Sequence, residues 1–88
     1  DLKYQVEVLS LIRDLAHERE LTVLLTIHDL NLASCFADQI VLLAGGEIAA
    51  LGTAAEVLTE ARLSEVYQTR VKVVPHPEYQ TPLVVPLL

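Results

Sequence analysis

The sequence predicts an α/β layered fold, and three features of its first half carry that expectation. Residues 2 to 19 have helical amphipathic periodicity, with Lys3, Glu7, Ser10, Asp14, His17 and Glu18 sharing one polar arc. Leu21 to Ile27 is apolar on both faces, broken only by Thr22 and Thr26. That is the pattern of a parallel strand buried between helices. A second helix is expected from about Leu30 to Ala37.

Each element has a local cause. Asp1 can cap the first helix, whose broad apolar face holds Leu2, Val6, Val8, Leu9, Leu11, Ile12, Leu15 and Ala16. Asp29 can cap the second. "QIVLLAGGEIAALG" reads as two short strands around Gly45-Gly46, because both glycines accept positive φ. In "TAAE", Thr53 and Glu56 form a capping box, each able to satisfy the other's free backbone donor. Thr59 opens a further short helix through Tyr67. Val71 to Val74 and Leu83 to Val85 read as strands flanking the proline-rich loop "PHPEYQTP".

Composition narrows the functions. At 88 residues the chain is one domain at most, and 52% of it is hydrophobic. So apolar a short chain is expected to hide surface against something else. The net charge is −6, with no lysine or arginine stripe to neutralise phosphates, which argues against nucleic acid as a partner. No run approaches the ~18 apolar residues of a membrane span. Cys35 is the single cysteine, so no internal disulfide forms. The first residue is Asp1 rather than methionine, and the chain reads as a piece of something longer.

The chemistry concentrates where the apolar run stops. In an open parallel sheet, ligands bind outside the carboxyl ends of the strands, where helix N-termini converge. His28 stands at such an end, with the helix after Asp29 expected to point free amides toward the same crevice. An imidazole there can donate to a phosphate oxygen or orient a water. The competing reading is a histidine that only caps a strand. His17, His28, His76 and Cys35 lack the pair spacing of a zinc site, so no metal is expected. His76, between two prolines, reads as a solvated loop residue.

"TIHDLNLA" closely resembles the switch-histidine segment of ATP-binding cassette (ABC) transporter ATPases, importers of the iron-siderophore, haem and cobalamin type above all. The resemblance continues through "FADQIVLLAGGEIAALGTAAEVLT", begins at "DLKYQVEVLSLIRDLA" and ends in "VKVVPHPEYQTPLVVPLL". It implies that residues 1–88 are the C-terminal part of a P-loop NTPase fold. By that likeness His28 is the switch histidine, touching the γ-phosphate of ATP and holding the attacking water in line. Asp1 would be the D-loop aspartate, reaching toward a second ATPase subunit in an ATP-sandwich dimer. ATP and Mg2+ are then the cofactors of the whole subunit, permease subunits its other partners, and the cytoplasmic membrane face its place.

Much of that machinery is not here. The glycines are Gly45, Gly46 and Gly52, and none precedes a Lys-Ser/Thr pair, so no phosphate-cradling loop exists in this chain. No LSGGQ-type signature and no strand ending in Asp-Glu is present either. The segment alone is therefore expected to be inactive, and, with the apolar strand Leu21–Ile27 lacking its neighbour, to self-associate or fold only marginally. The alternative is a free-standing α/β interaction module without catalysis; a phosphohydrolase built on His28-Asp29 stands third, for want of further ligands.

Overall fold

The computed structural model describes all 88 residues. Four helices are present: α1 (Leu2–Glu18), α2 (Leu30–Phe36), α3 (Ala54–Val57) and α4 (Glu60–Tyr67). Two antiparallel hairpins complete the fold, β1 (Ile40–Ala44) with β2 (Glu47–Gly52), and β3 (Val71–Pro75) with β4 (Pro82–Pro86). The caps are those the sequence predicts. Asp1 accepts from the Lys3 N–H at 2.9 Å, and Asp29 accepts from the N–H groups of Asn31 and Leu32.

Between β1 and β2 the chain reverses through Gly45 and Gly46, at φ 58° and 77°. Positive φ at both positions gives the turn a twist that matches the strands. A bulge between Leu42 and Leu43 leaves Ala49 as the extra residue of β2. The capping box closes as expected: the Thr53 N–H donates to Glu56 Oε1 at 2.9 Å, and the Glu56 N–H donates to Thr53 Oγ1 at 3.3 Å. The Thr53 backbone bond, then its hydroxyl, holds the Glu56 carboxyl below its usual range. A lowered folded value means the box stabilises at neutral pH and releases as pH falls through it.

The core is small and lies in the second half of the chain. Ile40, Leu42, Val57, Leu58, Leu63, Val71 and Val84 form it, joining the inner face of each hairpin to α3 and α4. Leu63 is 0% exposed and sits at its centre. Leu63→Ala is expected to cost about 2–5 kcal/mol of stability, read as a lowered urea midpoint, because so small a core cannot close the void. An unchanged midpoint would show that the helices collapse to fill it.

One expectation is corrected. Leu21–Ile27 forms no ladder, and residues 21 to 26 are exposed, with Leu24 at 91%. The pattern correctly reports a segment suited to burial on both faces. A parallel strand needs neighbours, however, and each strand of this chain is already paired within its own hairpin. The apolar face of α1 is only partly covered: Val8, Leu9, Ile12, Leu15 and Ala16 are half-buried, Leu2, Val6 and Leu11 are exposed, and none is fully buried. It touches the rest of the fold through few groups: Arg13 lies 5.1 Å from the centre of the Phe36 ring, and His17 Nε2 lies 3.3 Å from both carboxylate oxygens of Asp38.

Candidate functional site

His28 follows a half-buried Ile27 and is itself exposed. Its imidazole has no hydrogen-bond partner in the chain, so both ring nitrogens are open to a ligand or to water. No carbonyl of this chain bonds the ring. Two of the helix amides beside it are not free, contrary to expectation. The Asp29 carboxylate takes the N–H groups of Asn31 and Leu32 at 2.9 and 3.2 Å. Any anion near His28 meets an imidazole and a capped helix, not a bare helix end.

The seat of the helix after His28 comes from residues the sequence reading passed over. Asn31 Oδ1 accepts from the Val84 N–H at 2.7 Å, while Asn31 Nδ2 donates to the Val84 carbonyl at 3.2 Å. One turn on, the buried Ser34 hydroxyl (3% exposed) donates to the Pro82 carbonyl at 2.6 Å. Cys35 Sγ lies 3.9 Å from the Thr81 hydroxyl. Together these seat α2 on β4. A signal for them was present: Asn31 and Ser34 are poor helix formers spaced to share one face with the apolar Leu30.

The opposite edge of the same hairpin is held in the same manner. Glu60 Oε2, on α4, accepts from the Val73 N–H at 2.8 Å. Val73 and Val84 face each other across the ladder, so their backbone groups point outward, one to each helix. A side chain therefore takes the outward N–H at the middle of each edge of this two-stranded sheet.

Asp1 and His76 each make local bonds. The Asp1 carboxylate caps α1 and makes no bond to His28, so the chain does not bring its two proposed site residues into contact. His76 is not merely solvated, because its Nδ1 accepts from the N–H groups of Glu78 and Tyr79 at 3.0 and 3.4 Å. It is the organiser of the β3–β4 loop. No three His, Cys, Asp or Glu side chains gather to hold a metal ion. Two surface hollows lie along α4, one lined by Glu60, Ser64, Arg70 and Lys72, the other by Thr59, Arg62 and Glu65; neither includes His28. The donors present fit one contact to a phosphate oxygen, through His28, and do not fit magnesium or a whole triphosphate.

No protein-family model matches the chain. Individual proteins do. The chain is 41% identical over 87 residues to the hemin import ATP-binding protein HmuV of Thermobifida fusca (strain YX), covering 99% of the chain and 30% of that protein. It is 40% identical over 86 residues to the achromobactin transport ATP-binding protein CbrD of Dickeya dadantii (strain 3937), covering 98% of the chain and 32% of that protein. A further HmuV, from Bordetella avium (strain 197N), is 44% identical over 77 residues, which are 88% of the chain and 30% of the protein. The chain thus spans about a third of the length of the curated relatives it matches. Among solved structures, a metal-chelate type ABC transporter in an inward-facing conformation superposes with a TM-score of 0.82 at 29% identity, over 100% of this chain and 36% of that one. The fold and the sequence likeness agree along nearly the whole length, and the chain belongs to the ATP-binding subunits of ABC transporters, as a C-terminal segment of one.

Proposed function

We propose that this segment carries the switch histidine of an importer ATPase that powers uptake of an iron-siderophore, haem or cobalamin-like ligand. The observation that carries the reading is the free imidazole of His28 at the head of an anchored helix, in a chain whose relatives are named for hemin and achromobactin transport. His28 donates a ring N–H to the terminal phosphate of ATP and holds the attacking water in line. ATP supplies the phosphoryl group; the cradle, the magnesium ligands and the base belong to the rest of the subunit. Asp1 reaches to a second ATPase subunit across the dimer, and permease subunits complete the assembly at the cytoplasmic face of the membrane. The exposed apolar run of residues 21 to 25 supports this over a free-standing module, because a module would bury it.

Two measurements test the proposal. Cells whose sole copy of the intact subunit carries His28→Ala should lose energy-dependent uptake of haem or of a ferric siderophore. Undiminished uptake of these and of cobalamin would sink the importer assignment. The 88-residue chain alone should release no phosphate from ATP above the buffer rate. Release that disappears on His28→Ala would show that the segment holds a complete site.

A further inference from the structure

We infer that Asn31 is a positioning residue for His28: its amide fastens α2 to the edge of β4, and through α2 the terminal hairpin sets where the imidazole stands. The inference rests on His28 being the phosphate-facing group proposed above. Within residues 1–88, Leu21–Ile27 joins no ladder, so the fastening that this segment itself gives His28 lies downstream. Asp29 caps α2, and three residues after His28 the Asn31 side chain engages both backbone groups of Val84, 53 residues away in sequence.

The match of groups is specific. Val84 presents one donor and one acceptor on its free edge, and a carboxamide returns one acceptor and one donor. The side chain does what a further strand would do. An alanine would leave both Val84 groups without partners, and an ionised aspartate would accept from the N–H while opposing the carbonyl. Ser34, bonded to Pro82, adds a second fastening but offers only one bond. A shift of about 1 Å in a positioned group can cost on the order of 100-fold in rate, so the seat of α2 matters to the chemistry.

The test uses the intact ATPase subunit, assayed for steady-state ATP hydrolysis. Asn31→Ala should lower kcat roughly 10- to 100-fold with little change in KM for ATP. In a His28→Ala background the same substitution should cost nothing further, since it acts through the imidazole that is gone. Asn31→Asp should resemble Asn31→Ala at neutral pH and regain rate, relative to the wild type at the same pH, on acidification. A protonated carboxyl again offers a donor and an acceptor. If Asn31→Ala shows no cooperative melting transition, Asn31→Asp carries the double-variant comparison in its place. A loss that persists undiminished in the His28→Ala background, or a KM that rises as much as kcat falls, overturns the inference. So does loss of turnover at His28 with none at Asn31. Normal turnover in His28→Ala overturns the proposed function itself, and this inference with it.

Discussion

His28→Ala in the intact subunit is expected to cut kcat roughly 100- to 1,000-fold while leaving nucleotide affinity almost unchanged. The asymmetry follows from where the ring stands. One exposed imidazole adds a single hydrogen bond to a bound nucleotide, worth about 1 kcal/mol net in the ground state. Its larger effect comes as charge redistributes over the transferring phosphoryl group, where a donor fixed in advance needs no reorganisation. The absence of any internal partner sharpens the expectation, since the ring breaks no bond within the chain to make the new one. Single-turnover hydrolysis beside equilibrium nucleotide binding separates the two quantities. Affinity falling in proportion to turnover would make His28 an ordinary binding residue.

The isolated chain is expected to associate with itself, with a mass in analytical ultracentrifugation that climbs with concentration. Its apolar surface is unusually open: Leu21, Val23, Leu24 and Leu25 in the unpaired run, and Leu2, Val6 and Leu11 on α1. The hairpin adds the outward cross-strand pairs Val41 with Leu51 and Leu43 with Ile48. At about 25 cal/mol per Å², covering even a few hundred Å² contributes several kcal/mol before the entropic cost of association. The unpaired run also offers backbone donors and acceptors to a strand from another copy. Leu24→Lys should weaken this association. A monomer at high concentration with a sharp thermal transition would contradict it and favour a self-sufficient module.

What the sequence made legible was local. Asp1, Asp29, Thr53 and Thr59 each announce a helix start because their side chains satisfy amides two or three residues away. Gly45 and Gly46 announce a turn for an equally near reason. Legibility failed where the partner was distant or outside the chain. The Leu21–Ile27 run declares that it needs covering, but apolarity does not name the neighbour, so a buried strand was expected where an exposed segment stands. The amide of Asn31 meets Val84 at a separation no short-range pattern encodes. His28 stood out as a candidate from its place at the end of an apolar run, while the capping of the adjacent amides by Asp29 was read only as helix punctuation. Its consequence, that those amides are unavailable to an anion, emerges from the geometry.

The bond between α2 and β4 also has a meaning in the time domain of protein synthesis. Residue 31 leaves the ribosome well before residue 84, and at about 5–20 residues per second several seconds separate them. During that interval α2, only seven residues long, is too short to hold its shape by itself. It acquires its seat when residues 82–86 have been made and folded back, which closes a long loop and belongs among the late events of folding. On the reading proposed above, a chain released before residue 84 carries His28 on a helix that still lacks the Asn31–Val84 fastening.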